Sequence, residues 1–131
     1  MIVLDASASV RLFVDRENNT EYVETLLELG ASDIHVPSHF TVELLNALRG
    51  VYLKRAMSKS ELRDAFAEVY QLQVRQHPVE DLIPRIADLV DNSTPYDAAY
   101  VALAERLDCP LVTSDRRIAD IPGIRAKVVI V

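Results

Sequence analysis

The sequence predicts an α/β domain of three layers, with a central, mainly parallel sheet of about five short strands covered by helices on both faces. Two observations carry this. Strand-like and helix-like segments alternate along the chain, and the strand-like segments are unbroken apolar runs, the pattern of strands buried on both faces. The length, 131 residues, is close to the commonest size of one domain, so residues 1–131 are read as a single unit.

The elements follow in order. Ile2–Leu4 opens the chain as a buried strand, and Ala6–Val14 reads as helical. Thr20–Leu29 is an amphipathic helix with Tyr22, Val23, Leu26, Leu27 and Leu29 on its apolar side and Gly30 as its stop. Ile34–Val36 is a second strand, closed by Pro37. Ser38 is expected to cap a long helix reaching about Ala56, with Phe40, Leu44, Leu48, Val51 and Tyr52 as its stripe. Ser58–Tyr70 is a further helix, with Ser58 as cap and Glu61 at the capping-box position. Leu72–Val74 reads as a strand and Val79–Val90 as a helix, although Pro84 then falls a turn inside it. Thr94-Pro95-Tyr96-Asp97 is a helix start with a Thr cap, Pro at the first position and an acid in the first turn; that helix runs to about Leu107. Leu111–Thr113 is a strand, Asp115–Ala119 a short helical turn, and Val128–Val131 a terminal strand.

Composition bounds the function less than it bounds the fold. Half of the residues are hydrophobic, only 6% are aromatic and Trp is absent, so the core must rest on Leu, Ile, Val and Ala. The net charge of −6 argues, taken alone, against a nucleic-acid partner, unless some of the acids are gathered where cations neutralise them. Cys109 is the only cysteine, which excludes an intrachain disulfide and leaves it as a small apolar residue before Pro110. Met1-Ile2-Val3-Leu4 meets Asp5 without a basic leader or a long apolar run, so a cytoplasmic protein with no membrane span is expected.

In an open parallel sheet, ligands bind beyond the carboxyl ends of the strands. Asp5 directly follows the first strand, and Asp115 follows Leu111–Thr113 after one serine. Asp97 opens the helix that feeds that strand, and Glu43 lies one turn into the long helix after the second. Each has a plainer reading: Asp5, Asp97 and Asp115 as caps, Glu43 as a solvated helix residue. Glu43 fits its plain reading least. It falls at the edge of the apolar stripe, where half-burial makes an unpaired charge costly. Together, carboxylates converging on one sheet end repel one another, and hard divalent cations with oxygen ligands relieve that repulsion. Such a site suits phosphodiester hydrolysis, with Ser7, Thr113 and Ser114 as hydroxyls supporting the acids.

Four segments carry a resemblance. Val3-Leu4-Asp5-Ala6-Ser7, Glu43-Leu44-Leu45-Asn46-Ala47-Leu48-Arg49, Thr94-Pro95-Tyr96-Asp97-Ala98-Ala99-Tyr100 and Leu111-Val112-Thr113-Ser114-Asp115-Arg116-Arg117 resemble, in order, the signature blocks of the PIN domain, best those of VapC-type toxins. The resemblance implies a Mg²⁺- or Mn²⁺-dependent endoribonuclease that arrests translation, is inhibited by a cognate antitoxin and forms a homodimer. It implies Asp5, Glu43, Asp97 and Asp115 as the catalytic, metal-binding acids and Thr113 as their supporting hydroxyl.

Other residues are weighed on their own terms. Arg116 and Arg117 follow Asp115 at once, so one of them is expected at the site's rim as an RNA-phosphate contact; a solvated pair, or an ion pair with Asp120, is the alternative. Arg11 is counted among the basic residues near the site, and Arg49 is expected on the far side of its helix from Glu43. His35, His39 and His77 have no metal-motif spacing and are read as ordinary histidines. Tyr96 has the chemistry to stack on an RNA base, whereas Tyr100 is better read as packing against the sheet. Two other functions compete: a catalytically silent PIN-like protein-binding module, which the presence of all four acids disfavours, and a phospho-acceptor receiver domain. The second lacks the acidic pair it needs after Ile2–Leu4.

Overall fold

Apolar runs of three or four residues survive as strands only when both of their faces are covered, and the structure covers them. The computed structural model describes residues 1–131. Strands β1 (Ile2–Leu4), β2 (Ile34–Pro37), β3 (Arg75–His77), β4 (Leu111–Thr113) and β5 (Val128–Ile130) form one sheet in the order β3-β2-β1-β4-β5. Every neighbouring pair is parallel, with Val3 opposite His35 on one side and Leu111 on the other. The sheet is therefore wholly parallel, a sharper result than the mainly parallel one expected.

Seven helices cover it: α1 (Ala6–Val14), α2 (Thr20–Leu29), α3 (Phe40–Leu53), α4 (Lys59–Tyr70), α5 (Ile83–Asp88), α6 (Pro95–Leu107) and α7 (Arg116–Ala119). The period of two along β1 divides the interior. Val3 joins Val36, Leu111, Phe40, Leu44, Leu48 and Tyr100 in the larger core, while Ile2 and Leu4 turn the other way to meet Val112, Ala8, Tyr22 and Leu26. Leu44, Leu48 and Leu103 are fully buried, so truncating any one to Ala costs about 2–5 kcal/mol. Helix α6 is buried without interruption from Ala98 to Ala104; its alanines let it lie close against β1, β2 and β4.

The ends of the helices show local chemistry at work. Ser58 and Glu61 form the capping box, with Glu61 N donating to Ser58 Oγ at 3.0 Å and Ser58 N to Glu61 Oε1 at 3.2 Å. Thr94 caps α6 by accepting from Asp97 N at 3.3 Å. Gly30 ends α2 at φ +110°, and a Cβ there would stand 2.9 Å from Met1 N, so the position requires glycine twice over. Glu105 ties α6 to its neighbours by accepting from Arg85 Nε at 2.7 Å and from Arg125 N at 2.7 Å.

Three expectations need correction. Ser38 does not cap α3: the helix starts one residue later with His39 at its N-cap, and the Ser38 hydroxyl instead accepts from Val79 N at 3.4 Å. The third strand is Arg75–His77 rather than Leu72–Val74, because an edge strand pairs through its backbone and needs no apolar run. The expected helix over 79–90 is a 3-10 turn, Val79–Leu82, followed by α5, which begins one residue before Pro84; the proline sits in the first turn, where its missing N–H costs nothing. No helix is long and apolar enough to cross a membrane.

Candidate active site

Parallel pairing puts the carboxyl ends of β1 and β4 side by side. This is also where the chain, having built β2 and β3 on one side of β1, changes to the other side, the usual position of a ligand crevice. Asp5 occupies the N-cap of α1, yet its side chain makes no capping bond. Its Oδ2 accepts instead from Ser7 Oγ and from Thr113 Oγ1, each at 2.6 Å. Each hydroxyl has one proton and gives it to Asp5; their lone pairs are filled from the backbone, Ser7 Oγ by Ser114 N at 3.1 Å and Thr113 Oγ1 by Asp115 N at 3.0 Å. The backbone leaving β4 thus orients the hydroxyls that hold the acid leaving β1. Of the expected hydroxyls, Ser7 and Thr113 support Asp5 by side chain and Ser114 only through its backbone. Burial raises the Asp5 carboxyl above its usual range, the Ser7 and Thr113 bonds oppose this, and the Glu43 charge adds to it.

Glu43 is half-buried, as its place on the stripe predicts. It is not left for a cation alone: Tyr100 Oη donates to Oε2 at 2.6 Å, and His39 Nε2 stands 3.2 Å from the same oxygen. Burial works against the ionised form, but the His39 and Tyr100 contacts outweigh it and hold the carboxyl below its usual range. Tyr100 does pack in the core, as expected; its bond to Glu43, and the approach of His39 to the same oxygen, are what sequence reasoning missed. The His39–Glu43 spacing of four was the one available signal.

Asp97 is half-buried in the first turn of α6, and no hydrogen bond reaches its carboxylate, although its backbone N–H is capped by Thr94. Burial, then the charges of Asp5, Asp115 and Glu43, raise it above its usual range, with Arg117 opposing. Asp115 caps α7 by accepting from Arg117 N at 2.9 Å. The Arg117 side chain also grips it, Nε at 3.0 Å from Oδ1 and Nη2 at 2.6 Å from Oδ2, which lowers the Asp115 carboxyl below its usual range. The capping reading is thus correct for Asp115 and wrong for Asp5.

Asp97 feels the charge of the other three acids and Asp5 that of Glu43, but no three His, Cys, Asp or Glu side chains converge closely enough to hold an ion as they stand. Each of Asp5, Glu43 and Asp115 is turned onto its own donors. Arg117 faces Asp115 and Asp97 rather than pairing with Asp120, and Arg116 is exposed without a partner. Arg11 lies over the Tyr22 ring at 4.5 Å. His35 Nδ1 and His77 Nε2, brought together by the pairing of β2 and β3, are 2.7 Å apart with stacked rings; this pair ties the edge strand to the sheet.

The PIN-domain model matches residues 2–124. Ribonuclease VapC12 of Mycobacterium tuberculosis is 35% identical over 131 residues, covering 100% of this chain and 99% of the relative. Among solved structures, Mycobacterium tuberculosis VapC20, described as a Sarcin-Ricin loop cleaving toxin, superposes with a TM-score of 0.66 at 15% identity over 97% of this chain and 99% of the other. A toxin-antitoxin complex from Klebsiella pneumoniae gives a TM-score of 0.58 at 16% identity, over 98% and 96%. A wholly parallel sheet with carboxylates at its switch point, a domain match over nearly the whole length and a full-length ribonuclease relative have one reading: the chain belongs to the PIN-domain family, among the VapC ribonucleases.

Proposed function

We propose that this chain is a Mg²⁺- or Mn²⁺-dependent endoribonuclease, the toxin of a toxin–antitoxin pair, with Asp5, Glu43, Asp97 and Asp115 as its metal-binding acids. The observation that carries the metal reading is Asp97: a half-buried carboxylate with no hydrogen-bond partner, within the field of three further acids. An unpaired charge in that position is costly, and a cation removes the cost. The donors are carboxylate oxygens, which suit hard cations. When bound, such a cation stabilises charge on the attacked phosphate and makes water a better nucleophile near neutral pH.

The chain's own residues supply the rest. Ser7 and Thr113 favour the ionised form of Asp5 against its burial and fix the side chain through Oδ2. Arg117 neutralises Asp115, so the acid is available to a cation only when that ion pair opens. The exposed Arg116 guanidinium is free to meet RNA phosphate, whereas the same contact by Arg117 costs the Asp115 pair. The antitoxin partner is supported by fold likeness to the Klebsiella pneumoniae toxin-antitoxin complex, and RNA as substrate by the name of the full-length relative. A homodimer is part of the same proposal.

The test is cleavage of a mixed cellular RNA pool by antitoxin-free protein, with Mg²⁺, with Mn²⁺ and with chelator, beside Asp5→Asn. Discrete fragments that require metal and vanish in the variant are expected. Folded protein that cleaves nothing with either metal would transfer the reading to a silent protein-binding module.

A further inference from the structure

Tyr100 is fully buried, and nothing about packing alone asks for its hydroxyl. A core that needs only an aromatic ring takes Phe, because a buried hydroxyl carries a desolvation cost unless it finds a partner. The partner here lies 57 residues away in sequence: Tyr100 Oη, on α6, donates to Glu43 Oε2, on α3, at 2.6 Å. His39, one turn before Glu43, brings Nε2 to 3.2 Å from the same oxygen and sets its ring edge-on to Tyr100, with centroids 5.2 Å apart. Two groups therefore converge on Oε2, and no side chain of the protein bonds Oε1.

Asp5 repeats the arrangement with different residues. Ser7 and Thr113 both donate to its Oδ2. In each acid one oxygen is fixed by hydroxyl donors, Tyr100 for Glu43 and Ser7 and Thr113 for Asp5, which sets the plane of the carboxylate and directs its charge. We infer that Tyr100 is a positioning residue, the counterpart for Glu43 of what Ser7 and Thr113 are for Asp5: it holds the Glu43 carboxylate in one orientation, with Oε1 left for the divalent cation. The inference rests on the reading of Glu43 as a metal-binding acid. Tyr100 acts only through Glu43, so its removal loosens cation binding without deleting a ligand.

The experiment is a cycle of Tyr100→Phe, Glu43→Gln and the double variant, reading Mn²⁺ affinity in the absence of RNA by electron paramagnetic resonance, with circular dichroism to verify the fold. Outer hydrogen-bond partners of metal ligands typically contribute 10–100-fold in affinity, so Y100F is expected to bind Mn²⁺ about 10-fold more weakly. In the E43Q background the same change is expected to add less than about twofold, since the group it acts through is gone. Mn²⁺ affinity equal to wild type in Y100F, or losses that multiply in the double variant, would overturn the inference. Unchanged affinity in E43Q would instead remove the reading of Glu43 on which it rests.

If Y100F does not fold, the wild-type chain carries the test. It has five Tyr and no Trp, so its near-ultraviolet emission is tyrosine alone. Mg²⁺ is expected to change that emission as Glu43 charge is drawn away from Tyr100, and the change is expected to vanish in E43Q. Constant emission in protein that binds Mg²⁺ would count against the inference.

Discussion

Thr113→Val replaces a fully buried hydroxyl with a methyl of nearly the same size and breaks two bonds at once. Asp5 Oδ2 loses a donor at 2.6 Å, and Asp115 N loses its acceptor at 3.0 Å. A hydrogen bond to a charged group is worth about 1.5–3 kcal/mol, and a stranded backbone N–H costs about 1–3 kcal/mol. Allowing for partial exposure of Asp115, the expected loss is about 3 kcal/mol, a large fraction of the roughly 5–15 kcal/mol a domain has. The assay is urea unfolding followed by circular dichroism, without divalent metal, at neutral and at mildly acid pH. The pH arm follows from the raised Asp5 carboxyl. The native state binds that proton more tightly than the unfolded state does, so ionising Asp5 destabilises the fold as pH rises from the unfolded value through the native one. Removing a donor to the ionised form enlarges that penalty. The difference between variant and wild type should therefore shrink toward acid pH, leaving mainly the Asp115 N share. Thr113→Ser, which keeps the hydroxyl, should recover most of the loss. A neutral-pH difference under about 0.5 kcal/mol, or one equal at both pH values, would refute the account of Asp5.

Asp97→Asn should abolish RNA cleavage yet stabilise the metal-free fold at neutral pH by on the order of 1 kcal/mol, measured by thermal unfolding, because it removes a charge that burial and three acids oppose. A less stable variant would mean that Asp97 is satisfied in some other way. His77 is held below its usual value by burial and then by the charges of His35, Arg106 and Arg75, with Asp81 opposing. Its unfolded state binds the proton better, so stability should be complete above the ordinary histidine value and fall as pH drops through it; His77→Gln should flatten that slope in unfolding curves at graded pH. Glu105→Gln should cost about 2 kcal/mol in urea unfolding, since the side chain is 6% exposed and is bonded by Arg85 and Arg125, themselves partly solvated.

The fold was legible wherever burial wrote itself into the chain. β1, β2, β4 and β5 are apolar runs because helices cover them on both faces, and Ser58-x-x-Glu61 and Thr94-Pro95 name their helix starts by local hydrogen bonding. β3 was misplaced because Arg75, Gln76 and His77 line a sheet edge and carry no apolar signal. Strand order was not legible: three of the four pairings join consecutive strands, but β1 also pairs β4, and nothing in the sequence marks that jump. The acids were legible as residues at strand ends, and their grouping through the resemblance. Their partners were not: Tyr100 meets Glu43 across 57 positions and His77 meets His35 across 42, and such contacts leave no periodicity to find. Nor did sequence show that Asp115 is already gripped by Arg117, a choice of rotamer rather than of spacing.

The most direct test of the site is a crystal of the protein grown with Mn²⁺ and an anomalous difference map. The expected result is a peak within coordination distance of carboxylate oxygens of Asp5, Asp97 and Glu43 or Asp115, with the grip of Arg117 on Asp115 opened wherever Asp115 takes part. A saturated crystal with no peak among these four acids, and Asp115 still held by Arg117, would contradict the claim that they form a metal centre.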